Sequence, residues 1–89
     1  MKLQTEKSVR RFIRSLPDPA QELLSQTILD LEDNPYPSSS VELRGHQRYR
    51  RIRAGKYRIL YRVGKNTVYV HRVEERSSKT YRGFNPGTQ

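Results

Sequence analysis

Residues 48–63 read RYRRIRAGKYRILYRV, with seven basic side chains in sixteen positions. The stretch also alternates with the period of a strand. Ala54-Gly55 at its centre predicts a two-residue hairpin turn. That turn sets Arg53 opposite Lys56, Ile52 opposite Tyr57, Arg51 opposite Arg58 and Arg50 opposite Ile59. Cross-strand partners share a face. One face therefore gathers Tyr49, Arg51, Arg53, Lys56, Arg58 and Arg62, with Leu60 among them. The other gathers Ile52, Tyr57, Ile59, Tyr61 and Val63. Arg48 and Arg50 are the misfits, pointing coreward and forced to escape at an edge. Like charges facing one another destabilise a strand pair, so stability alone does not account for this pattern. The alternation sorts the hairpin into a core face and a cationic face.

The core face needs helices to cover it, and two precede it. Val9, Phe12, Ile13 and Leu16 lie at i, i+3, i+4 and i+7, predicting an amphipathic helix over 6–16 with Arg10, Arg11 and Arg14 outward. Pro17 stops it. A second helix is expected over 19–33, with Asp18 as N-cap, Pro19 in the first helical position and Gln21 completing a capping box. Leu24, Ile28 and Leu31 form its stripe. The opening MKLQT is either a short strand or loose, and residues 34–43 read as an ordered loop. Beyond Val63, a turn at Lys65-Asn66 leads into TVYVHRV, whose Val68 and Val70 join the core while Tyr69 and His71 join the basic side. Strands are expected at 47–53, 56–63 and 67–73. The fold class is α+β: an N-terminal αα-hairpin packed on a small twisted antiparallel sheet. Residues 1–82 form one domain, and 83–89 are expected to be a mobile tail.

Composition narrows the function. Of the 89 residues only 33% are apolar, so the core is thin and one-sided. The chain has no cysteine, which removes disulfides, thiolate zinc sites and cysteine nucleophiles together. No apolar run is long enough for a membrane span, so a cytoplasmic protein without a membrane partner is expected. No metal or cofactor is expected either. The net charge is +9, and it is segregated. Residues 1–43 carry five basic and seven acidic side chains, whereas 44–89 carry thirteen basic and two acidic. A block this positive calls for a polyanion or an acidic protein. From Arg44 to Val73 there is no Asp or Glu. A carboxylate-free arginine face suits phosphate, whose oxygens match guanidinium forks. The plainer alternative, a solvated strand face with its side chains fanned out, predicts acidic residues interleaved with the basic ones.

LRGHQRYRRIRAGKYRILYRV, residues 43–63, together with Val73-Glu74-Glu75-Arg76 and the later Tyr81, resembles the RelE/ParE superfamily of bacterial toxin–antitoxin toxins. The likeness is greatest to its RelE-like ribonuclease branch. That resemblance implies that Arg51, Arg53 and Arg58 grip the scissile phosphate, that Arg76 lies near the leaving oxygen, and that Tyr81 stacks on or orients the RNA. It implies metal-independent cleavage of mRNA in the ribosomal A site by 2′-OH attack, giving a 2′,3′-cyclic phosphate. It also implies silencing by an acidic antitoxin encoded alongside, with operator DNA reached only through that antitoxin. Arg44, Arg48, Arg50, Lys56, Arg62 and Tyr49 are the further candidates for RNA contact. Two departures stand out. Glu74 replaces the family's usual glycine, and the strand positions of the family's general base hold Tyr49 and arginines. Arginine is a poor base because its pKa lies above about 12. His71 is then the acid–base candidate on the basic face, weighed against a strand histidine with no role. Two other functions share this scaffold: a ParE-like toxin that poisons DNA gyrase, and a non-catalytic RNA-binding module.

Overall fold

The computed structural model describes residues 1–75. Its elements are β1 (Lys2–Thr5), α1 (Lys7–Arg14), α2 (Asp18–Asp33), β2 (Ser40–Leu43), β3 (His46–Ala54), β4 (Tyr57–Gly64) and β5 (Thr67–Glu75). The strands form one sheet in the order β1-β5-β4-β3-β2, with both helices on one face. The α+β layout matches expectation, and two details correct it. The opening residues are a strand that runs parallel to β5, so the sheet is mixed rather than wholly antiparallel. Part of the expected 34–43 loop is β2, which pairs antiparallel with β3 and makes the second edge.

The αα-corner is tighter than its capping signals suggest. The second helix begins at Asp18 itself, and no side chain caps it. Gln21 instead donates to the carbonyl of Leu16 at 2.7 Å and reaches that of Arg14 at 3.4 Å. It satisfies the orphan carbonyls at the end of α1 rather than an amide at the start of its own helix. With the helices joined this closely, the neighbouring terminus is the nearer partner.

The central hairpin turns one residue later than predicted. Gly55 has φ +61°, and Ala54 pairs directly with Tyr57, so Gly55-Lys56 is the turn. Positive φ at the first central position is what glycine allows. The register moves accordingly: Ile52 faces Ile59, Arg53 faces Arg58 and Arg51 faces Leu60. The shift is by two residues, one full strand period, so the side chains from Tyr49 to Arg53 and from Tyr57 to Val63 keep their predicted faces, while Lys56 passes into the turn.

On that face the core closes. Val9, Ile13, Leu24, Ile28 and Leu31 from the helices pack on Ile52, Ile59, Tyr61, Val63, Val68, Val70 and Val73 from the sheet. Tyr61 is fully buried and donates its hydroxyl to the Pro35 carbonyl at 2.7 Å, tying down the loop after α2. A bulge interrupts β5: Tyr61 pairs with Val70 but Leu60 pairs with Arg72, leaving His71 as an extra residue. Strict alternation from Val70 would bury residue 72 and expose 73. The bulge keeps His71 and Arg72 off the core and returns Val73 to it. No described helix is long and apolar enough to cross a membrane.

Candidate nucleic-acid interface

The face of the sheet turned away from the helices is built in three rows. Nearest the Gly55 turn, Arg53 pairs with Arg58, which pairs with Glu74. Next come Val41, Arg51, Leu60 and Arg72, one from each of four strands. The third row is Tyr49, Arg62 and Tyr69. Side chains within a row stand about 4.8 Å apart, and successive rows about 7 Å apart, spacings that long arginine side chains can span. Leu60 is only 1% exposed although it belongs to this face, with Arg51 and Arg72 as its neighbours on the flanking strands. Arg53 is exposed, while Arg51, Arg58, Arg62 and Arg72 are half-buried.

Glu74 overturns the expectation of a carboxylate-free face. It is 6% exposed and forms an ion pair with Arg72 Nε, and its Cα faces that of Arg58. The bulge at His71 puts it there. A signal for this was present in the chain, where the valines step from 68 to 70 and then to 73, an interval that breaks period two.

The third row is aromatic. The Arg62 guanidinium lies 4.1 Å from the centroid of the Tyr69 ring. His71 stacks on Tyr69 at 6.4 Å with 16° between planes, and lies 5.7 Å from the ring of Tyr49. His46 meets Tyr49 edge-on at 6.5 Å. Gly64 makes room for this packing, since a Cβ there would stand 2.9 Å from the Tyr69 ring. His71 Nδ1 is 3.1 Å from the Glu6 carboxylate. A carboxylate only accepts, so Nδ1 carries the proton and a neutral ring keeps its lone pair on Nε2. That Nε2 is shielded from solvent and has no hydrogen-bond partner among the described residues.

Other candidates lie elsewhere. Arg50 is on the helix side, where its Nε and Nη2 donate to Ser40 Oγ at 3.1 and 2.9 Å and its guanidinium covers Tyr36 at 5.2 Å. Arg48 is exposed and lines a shallow groove with His46, Tyr49 and Arg62, so only Arg50 of the two misfits turns coreward. Lys56 leaves the predicted face for the turn and reaches Glu75 at 3.3 Å. Arg44 is exposed in the turn between β2 and β3. Arg76 and Tyr81 lie outside the described residues. Among the described residues no group of three or more His, Asp or Glu side chains is placed to hold a metal ion.

This arrangement is similar to solved toxins and their complexes. The chain matches one from the archaeal RelE–RelB complex of Pyrococcus horikoshii OT3 at TM-score 0.76 and 23% identity, covering 85% of this chain and 94% of that one. It matches the isolated E. coli RelE toxin at 0.73 and 23%, covering 91% and 90%. For the RelBE2 toxin–antitoxin complex of Mycobacterium tuberculosis the values are 0.70 and 26%, with 84% and 96% covered. No curated protein sequence matches. The likeness defines the fold as that of RelE toxins. Residues 2–79 match the family of ParE toxins of type II toxin–antitoxin systems, parDE, and the chain belongs to that family, a toxin of the RelE/ParE superfamily.

Proposed function

We propose that this toxin arrests translation as a metal-independent endoribonuclease that cleaves mRNA in the ribosomal A site. The observation that carries the reading is the pairing of Arg53 with Arg58 beside Arg51 on one solvent-facing side of the sheet. In the reaction the substrate's 2′-OH attacks the adjacent phosphorus, the 5′-oxygen leaves, and a 2′,3′-cyclic phosphate remains. The phosphorane gains negative charge on the way, and fixed guanidiniums meet it without reorganising. The ribosome supplies alignment of the 2′-OH, which lessens the need for a strong base. His71, its tautomer set by Glu6, is the acid–base candidate of this site. Arg44, Arg48, Arg62 and Tyr49 flank the path of the RNA. Arg76 and Tyr81 complete the site by resemblance.

The proposed partners are mRNA on the ribosome and, in the resting state, an acidic antitoxin that also carries the toxin to operator DNA. RelE toxins solved together with RelB support an antitoxin partner. The proposed location is the cytoplasm. The family match favours one second reading, binding and poisoning of DNA gyrase. Ribosomes programmed with a defined mRNA decide between them. Cleavage ending in a 2′,3′-cyclic phosphate is expected, and it should be lost in the Arg51→Ala, Arg58→Ala double variant. Intact mRNA together with inhibited DNA supercoiling would establish the gyrase reading instead.

A further inference from the structure

The arginine face carries an anion of its own. Among the described strand residues of that face Glu74 is the one acidic side chain, and both its carboxylate oxygens are shielded from solvent. A buried carboxylate is costly unless cations surround it. Here Arg72, two residues earlier on the same side of β5, touches it through Nε, and Arg58 is its cross-strand neighbour. A carboxylate and a phosphate offer guanidinium the same pair of oxygens. A row of arginines without an anion would splay apart under mutual repulsion, and each would lose ordering entropy again when it gripped a substrate.

We propose that Glu74 is a positioning residue, an internal counter-anion that holds Arg58 and Arg72 in phosphate-gripping orientation and lowers the polyanion affinity of the resting face by about one charge. The inference rests on the phosphate-binding reading of the face given above. Glu74 stays in place when RNA binds, and the scissile phosphate takes the outward N–H groups. The fit of the arginines to the transition state then depends on a residue that never touches the substrate.

Glu74→Gln keeps shape and removes charge. The binding probe is a single-stranded oligonucleotide with a 2′-O-methyl group at the scissile nucleotide, which cannot be cleaved. Binding is expected to tighten and its log–log salt slope to steepen by about 0.7, the increment for one more neutralised phosphate on a single strand. Turnover on programmed ribosomes is expected to fall about tenfold in kcat while KM also falls, a split that general destabilisation would not give. Arg72→Gln should flatten the slope, and the Glu74→Gln, Arg72→Gln double variant should restore it, which keeps the question open to test where the single Glu74 change does not fold. An unchanged slope in the single variants overturns the proposal, as does a steeper slope with unchanged kcat. Failure of the nuclease reading would show separately, as no cleavage by the unaltered toxin.

Discussion

Arg50 and Arg51 are neighbours in the chain and do opposite work. Arg50 braces the loop after α2 through Tyr36 and the start of β2 through Ser40, on the helix side of the sheet. Arg51 stands on the other face, level with Leu60 and Val41. Arg50→Ala should therefore lower stability by about 1 kcal/mol, read from thermal melting, and leave oligonucleotide affinity nearly unchanged. Arg51→Ala should do the reverse. A contact of this kind to a transition state is worth about 3 kcal/mol, so cleavage should fall roughly a hundredfold and growth arrest on expression should be relieved, with the melting curve unmoved. Equal loss of RNA binding in both would mean that charge alone, not the face, governs binding. His71→Ala separates the two roles of the histidine, since a purely structural residue would alter melting and leave the pH profile of cleavage as it was. Residue type, period and face are legible here in the chain alone. The partner of each side chain is not, because Ser40 and Glu6 approach through the folding of distant segments.

At the scale of elements, turns and bulges decide what alternation leaves open. A period of two assigns faces and is blind to shifts of two, which is why the hairpin's faces are legible in the sequence while its register is not. Gly55 settles the register, and its environment makes it a point of fragility. Its φ is +61°, and a Cβ there would lie 2.9 Å from the side chain of Leu23 on α2. Gly55→Val should cost at least the roughly 1–3 kcal/mol of a strained backbone, measured by denaturant unfolding, with β3 and β4 the first to lose amide protection. A melting temperature unchanged by this substitution would refute the turn assignment. Helix packing allows a parallel test. Leu24 is wholly buried, so Leu24→Ala should destabilise by about 2–5 kcal/mol, whereas the same change at half-exposed Leu23 should cost far less.

Taken whole, the molecule is divided by charge. The N-terminal half balances seven acidic against five basic side chains and supplies the helices, while the C-terminal half carries thirteen basic against two acidic and supplies most of the sheet. The packing of one on the other leaves the arginines together on the side the helices do not cover. An antitoxin that silences this surface should be acidic, and the complex should weaken steeply between low and moderate salt, measured by titration calorimetry or surface binding. A salt-insensitive complex would show that apolar residues such as the exposed Val41 and Tyr36 carry the contact instead.

The sequence by itself determined the class of the fold, the helix stripes, the two faces of the hairpin and the charge that points to a polyanion. These depend on periodicity and composition, which are local and need no knowledge of neighbours. Tertiary structure alone decided the parallel pairing of β1 with β5, the addition of β2 and the placing of Glu74 beneath the arginines. Pairing between segments far apart in the chain depends on which surfaces remain unsatisfied after the core has closed, and one extra residue in β5 resets every side chain beyond it. The carboxylate that tempers the arginine face is there because His71 has no partner across β4.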